Sequence, residues 1–84
     1  MNIAAKNFND SILKDLPKPT SYIEEDGDVN FEWYLNPRHI LSVSVSSDNF
    51  VYYAGLFGND SLKDSELFDG KFPETLFKII KCRF

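Results

Sequence analysis

The sequence predicts an α+β fold: a four- to five-stranded antiparallel meander sheet, with an N-terminal helix and a C-terminal helix packed on one face. Three observations predict it. Residues 29–57 contain consecutive β-rich runs, two of them with strict period-two alternation. The connections between the runs are short, which makes neighbours in sequence neighbours in the sheet. Stretches of helical period stand before and after them.

The elements follow in order. Residues 3–16 read as a short helix, with Phe8, Ile12 and Leu16 at i, i+4 and i+8, and with Ala5 and Ile3 near the same face. Lys6, Asp10, Lys14 and Asp15 lie elsewhere on it. Pro17 is expected to end the helix, because a residue before proline disfavours helical dihedrals. Thr20 to Glu25 reads as a strand, and Asp26-Gly27 as a type I′ hairpin turn into the next one.

In residues 28–35, Val29, Phe31 and Trp33 alternate with Asn30, Glu32 and Tyr34. Asn36-Pro37 is a turn dipeptide. In residues 39–47, Leu41, Val43 and Val45 alternate with Ser42, Ser44 and Ser46. Ser47-Asp48-Asn49 supplies another turn, since Asp and Asn tolerate left-handed dihedrals. Residues 50–57 are rich in β-branched and aromatic types, but apolar on both faces, so their register is open.

Residues 58–61 read as a loop, and residues 66–68 as a short edge strand followed by an Asp69-Gly70 turn. A single helical turn capped by Asp60 or Ser61 is the other reading of this region. Pro73 opens the last helix, as proline favours the first helical position. Glu74 stands at its positive end, and Lys78, Lys81 and Arg83 at its negative end. Leu76, Phe77, Ile79, Ile80 and Phe84 make a broad apolar stripe to cover the sheet.

With 84 residues the chain is a single domain, 1–84. A chain of this length buries only about 60–65% of its unfolded surface. Association that buries more would therefore help it. The apolar fraction is 43% and the aromatic fraction 15%, enough to build a core. The net charge of −4 argues against direct binding of nucleic acid, which needs a basic footprint. Cys82 is the only cysteine, so no intrachain disulfide is possible. The start of the chain lacks the long apolar run of a secretory leader. No run approaches the ~18 apolar residues of a membrane helix. The expectation is a cytoplasmic protein with no membrane association.

Leu16, Pro17 and Pro19, then Asp26-Gly27, then Glu32-Trp33, then Leu41, Val43 and Val45, follow a pattern. A Leu-Pro-x-Pro connector leads to an extended segment, an Asp-Gly turn, a strand ending Glu-Trp, two more strands and a closing helix. Over roughly residues 16–80 the chain resembles small uncharacterised bacterial α+β proteins that carry this pattern. The resemblance implies the fold and assigns no activity or site; such proteins look like accessory genes of mobile elements or phages.

No residue set carries a strong chemical signature. Glu24-Glu25-Asp26-Gly27-Asp28 resembles a fragment of a calcium loop but lacks the later bidentate glutamate, and reads as a solvated hairpin tip. His39, the only histidine, follows a turn, with Glu32 as a partner that could face it across the hairpin. Otherwise it is an exposed turn histidine. Cys82 has no metal or redox spacing around it and reads as a buried or half-buried structural thiol. No enzyme activity, cofactor or metal is expected.

Trp33, Tyr34, Tyr52, Tyr53 and Phe57 could stack bases, but basic residues are missing around them. Tyrosine and tryptophan suit a protein interface better. The expected interaction face is therefore Tyr34, Ser42 and Ser44 with Tyr52 or Tyr53, whichever the register of residues 50–57 selects. The leading expectation is a non-enzymatic interaction module that forms a homodimer or holds another protein. Dispersed acids (Asp10, Asp15, Glu24, Glu25, Asp26, Asp28, Asp48, Asp60, Asp64, Asp69) permit an alternative, an inhibitor or antitoxin-like protein that masks a partner's basic surface. A small-molecule binder using the aromatic sheet face is a further alternative, and needs a deep pocket.

Overall fold

A computed structural model describes residues 3–12 and 16–84. Helix α1 is Ile3–Ser11 and helix α2 is Glu74–Arg83. Between them lie β1 (Thr20–Ile23), β2 (Val29–Asn36), β3 (His39–Val45), β4 (Phe50–Phe57) and β5 (Asp60–Leu67). The five strands form one antiparallel sheet in the order β1-β2-β3-β4-β5. The α+β meander expected from the alternation is the fold found.

Both helices lie on the face that carries Phe31, Trp33, Leu41, Val43 and Val45. Val51, Tyr53 and Phe57 of β4 share it. Phe8 of α1 reaches the centre of this core, with its ring centroid 5.0 Å from Phe31, 5.6 Å from Phe68 and 5.2 Å from Phe72. Leu76 and Ile80 of α2 are fully buried against the same face, while Phe77, Ile79 and Phe84 are partly buried beside them. On the exposed side of α2 the Glu74 and Lys78 side chains pair at 3.5 Å, the expected i, i+4 contact. Both are well solvated, so the pair contributes little.

Helix α1 is shorter than the expected 3–16. It ends at Ser11, whose hydroxyl donates to the Phe8 carbonyl at 2.7 Å, while the Ile12 N–H bonds back to Asn9 O at 3.3 Å. A hydroxyl that captures the helix's own carbonyl competes with helix continuation. The run of Asn9, Asp10 and Ser11 adds poor helix formers to the same turn. Residues 13–15, including Lys14 and Asp15, lie outside the described residues. Ile3 does not join the apolar face, being 63% exposed. Pro17 therefore does not stop the helix. Its carbonyl instead accepts the Trp33 indole N–H at 2.8 Å, which ties the connector to the sheet.

The turns set the register. The β1–β2 hairpin is not the expected type I′ turn. Glu24 N–H bonds to Asp28 O at 2.7 Å and Gly27 N–H to Glu24 O at 3.0 Å, and of the loop residues only Gly27 has a positive φ, +91°. This is a three-residue loop closed by one left-handed residue. The β3–β4 loop repeats it: Ser46 N–H to Phe50 O, Asn49 N–H to Ser46 O, and Asn49 at φ +67°.

The fifth strand is longer than the expected 66–68 and starts at once after Gly58-Asn59, so residues 60 and 61 are strand rather than loop. Gly58, at φ +66°, takes the first position of a tight two-residue hairpin. The strand is hard to see because it is the sheet edge. Asp60, Asp64 and Glu66 occupy the side where an inner strand carries apolar residues, and charges on an edge protect it from pairing with other chains.

Candidate functional site

The register sorts every strand residue onto a covered or an open face. Thr20, Glu32, Ser42, Ala54 and Lys63 are successive partners and form a row across all five strands on the open face. Tyr22, Asn30, Ser44, Tyr52 and Ser65 form the neighbouring row. Tyr34, Ile40, Leu56 and Ser61 form another, and Phe50 with Leu67 ends the face on the opposite side. No described helix covers these residues. Tyr22 (48%), Tyr34 (57%), Tyr52 (47%) and Leu67 (64%) are widely exposed, and Phe50 and Leu56 are exposed as well.

Four of the five expected interaction residues therefore share the open face: Tyr34, Ser42, Ser44 and Tyr52. Ser44 stands directly opposite Tyr52, and the Phe50 ring stacks on Tyr52 at 5.9 Å. The fifth, Tyr53, points the other way. It pairs with Val43 on the covered face and is 4% exposed. The physical reason is the three-residue loop at Ser47–Asn49, which sets Val45 opposite Val51 and so turns each odd residue of β4 inward.

Tyr53 instead ties β4 to the edge strand. Its hydroxyl donates to Glu66 Oε2 at 3.3 Å. Burial, followed by the charges of Glu66 and Asp64, raises the Tyr53 pKa above the usual tyrosine range. The aromatic set thus divides, with Trp33, Tyr53 and Phe57 buried in the core and only Tyr34 and Tyr52 presented to solvent.

The centre of the open face is a depression of about 360 Å³ lined by Asn30, Ser42, Ser44, Tyr52, Lys63 and Ser65 among others. Asn30 lies at its floor, 8% exposed, and its Nδ2 donates to the Tyr22 hydroxyl at 2.5 Å. That bond folds Tyr22 of the short first strand over Asn30. Glu32 and Lys63 are the only charged side chains in the rows of this face. A second, wider groove of about 750 Å³ lies beyond the other face, between α1 and the β1–β2 hairpin, and includes the exposed Ile23.

Several residues missed by the expected interaction face belong to the open one: Tyr22, Asn30, Phe50, Leu56, Lys63 and Leu67. The signal that could have found those on β4 and β5 is the spacing of the Ser47–Asn49 loop, which fixes one register for β4 and, through Gly58-Asn59, for β5.

The remaining chemical expectations resolve as follows. His39 and Glu32 do not face each other. His39 lies in the covered-face register, half-buried, with its ring edge-on to Phe57 at 5.4 Å and to Phe84 at 5.7 Å, whereas Glu32 points to the open face. Cys82 is exposed rather than buried. Glu24, Glu25, Asp26 and Asp28 gather at the β1–β2 tip around a shallow depression of their own. Asp28 is half-buried there, and burial together with the charges of Asp26 and Asp48 raises its pKa. Among the described residues, no group of three or more His, Cys, Asp or Glu side chains is arranged to hold a metal ion. No described helix is long and apolar enough to cross a membrane. Compared with protein-family models, with curated proteins and with solved structures, the chain matches none.

Proposed function

We propose that the protein is a non-enzymatic interaction module that self-associates through the open face of its sheet. One observation carries this reading. Six large apolar or aromatic side chains (Tyr22, Tyr34, Phe50, Tyr52, Leu56 and Leu67) are exposed together on a face that no described helix covers. Large apolar side chains gathered in this way on one uncovered face mark interaction sites. The composition also fits, since interface centres are poor in charge and rich in tyrosine. Five strands about 4.8 Å apart, with seven residues at ~3.3 Å each, make a face of roughly 24 by 23 Å. Its projected area of roughly 550 Å² per partner falls at the small end of specific interfaces, where association is weak.

Pairing through the β5 edge is the less favourable route. Two such edges would bring the acids Asp60, Asp64 and Glu66 of one chain close to those of the other. The likeness to small bacterial accessory proteins fits a module of this sort. The exposed single cysteine fits a reducing compartment such as the cytoplasm.

Sedimentation tests the proposal. The 9.7 kDa chain is expected to double in mass as its concentration rises towards ~1 mM, with Tyr52→Lys shifting it back to monomer while its circular dichroism is unchanged. A wild-type chain that stays monomeric across that range overturns it. A second reading, a mask for a partner's basic surface, draws on the acidic tip of Glu24, Glu25, Asp26 and Asp28. It predicts a salt-sensitive complex that survives Tyr52→Lys and is lost when those acids are neutralised.

A further inference from the structure

Within the paired rows of the open face stand one negative and one positive side chain, Glu32 on β2 and Lys63 on β5. They stand in the same row, at the same height along the strands, because Glu32 pairs with Ser42, Ser42 with Ala54, and Ala54 with Lys63. Three strand spacings separate them, about 14 Å, too far for an ion pair within the chain. Beyond the acids of the β1–β2 tip, which border the face at Ser44, these are the charges that bear on how a second copy can lie on it.

Two in-plane twofold axes are open to a face-to-face dimer. An axis across the strands lays each strand on its own copy, so Glu32 never meets a lysine. An axis along the strands reverses their order. Placed between β3 and β4, it lays β2 over the partner's β5 and β3 over the partner's β4. Glu32 then lies above the partner's Lys63, and by symmetry Lys63 above the partner's Glu32. The same rotation sets Ser42 above the partner's Ala54, Ser44 above the partner's Tyr52 and Ile40 above the partner's Leu56, so one serine meets a tyrosine and an apolar pair meets across the interface. A twofold interface is self-complementary in this sense. The strands of the two sheets stay within the ~30° of aligned sheet packing.

Resting on the proposed self-association, we propose that the dimer is a two-sheet sandwich whose twofold axis runs along the strands between β3 and β4, with two symmetric Glu32–Lys63 pairs between the chains. In this arrangement β1 stands outside the overlap, consistent with Tyr22 folding inward onto Asn30. The total charge of −4 per chain opposes association, and the balanced charges of the overlapping rows of β2 to β5 lessen that opposition where the chains touch.

The test is a charge swap read by sedimentation equilibrium. Glu32→Lys and Lys63→Glu are each expected to weaken the dimer about tenfold or more, because each turns two attractive pairs into two repulsive ones. The double variant is expected to recover to within about threefold of wild type. Carbodiimide coupling of the wild-type chain supplies a second measurement that needs no variant. Mixed light and nitrogen-15 chains are expected to give a Glu32–Lys63 amide joining one light and one heavy peptide. A dimer whose single variants are unaffected, or whose double variant is no better than the singles, overturns this geometry and leaves the self-association standing. Wild-type chains that remain monomeric, or that bind only a different protein through this face, overturn both.

Discussion

The two faces of the sheet are built from the same five strands, yet they differ in what they do with aromatic residues. On the covered face Trp33, Tyr53 and Phe57 are each 4% exposed or less, and every ring has a fixed neighbour. On the open face Tyr34 and Tyr52 leave about half their surface in water, over rows of serine. The chain is too short to cover both faces with two helices of nine and ten residues. A face left uncovered would ordinarily be polar throughout. This one keeps its serines on β3 and its tyrosines and leucines around them. Aromatic residues held by neighbours stabilise the monomer, and those left in solvent are available to a second molecule.

The largest expected effect separates the faces directly. Trp33→Ala removes a 2%-exposed indole and leaves the Pro17 carbonyl without its donor. Truncations of this kind cost about 3–5 kcal/mol. A domain of 84 residues has a total stability of only ~4–12 kcal/mol. The variant should be largely unfolded at 37 °C, or nearly so, by urea titration. Tyr52→Ala in the same sheet should cost the monomer less than about 1 kcal/mol, while abolishing concentration-dependent association. Equal losses of monomer stability at the two positions would erase the distinction between the faces.

A sharper test of the covered face uses its one glycine in a strand. Gly55 stands opposite Leu41, and an added methyl would meet Phe57 Cε2 at 2.7 Å, Phe57 Cζ at 2.9 Å and Leu41 Cδ1 at 3.4 Å. The Phe57 ring lies back over Gly55 and has little room to move. His39 and Phe84 contact it edge-on, and the Arg83 guanidinium sits 5.2 Å from its centroid. Overpacking costs about 1–3 kcal/mol, of which the stiffer unfolded chain returns ~0.5. Gly55→Ala is expected to lower stability by about 1–2 kcal/mol in a denaturant titration, and Phe57→Leu in the same chain should relieve part of it. A neutral Gly55→Ala would mean that the ring yields freely and that this corner of the core is loosely packed.

The covered face was legible in the sequence wherever alternation was clean. Val29, Phe31 and Trp33 and then Leu41, Val43 and Val45 alternate with polar residues, and only one orientation buries them. The open face was legible only in part. Strand β4 has apolar or aromatic residues at both parities, so periodicity could not say whether Tyr52 or Tyr53 faces out. A single left-handed residue, Asn49, decides it. Strand β5 was obscured for the opposite reason: its inward parity carries Asp64 and Glu66, and charges at an edge look like a loop. The glutamate and lysine of the open face belong together only through three successive registers, which no local pattern contains.

Tyr53 gives the smallest expected effect and the most specific one. It is the aromatic residue that a one-residue slip of β4 would move to the open face, so its titration reports which face it occupies. Burial and the carboxylates of Glu66 and Asp64 raise its pKa in the folded chain above the ~10 of an unfolded tyrosine. The folded state therefore prefers the neutral phenol. The stabilisation is fully present below about pH 10 and is lost as pH rises through the higher folded value, since the unfolded chain ionises first. At neutral pH Tyr53→Phe should cost ~1 kcal/mol or less, the contribution of one long hydrogen bond to Glu66. From about pH 10 upward the wild-type chain should lose stability faster than the variant, so the difference between them should shrink and then reverse. Urea midpoints measured for both chains from about pH 8 to 11.5 give that difference directly. A difference that stays constant with pH would place the Tyr53 hydroxyl in water, and with it the whole of β4 in the slipped register.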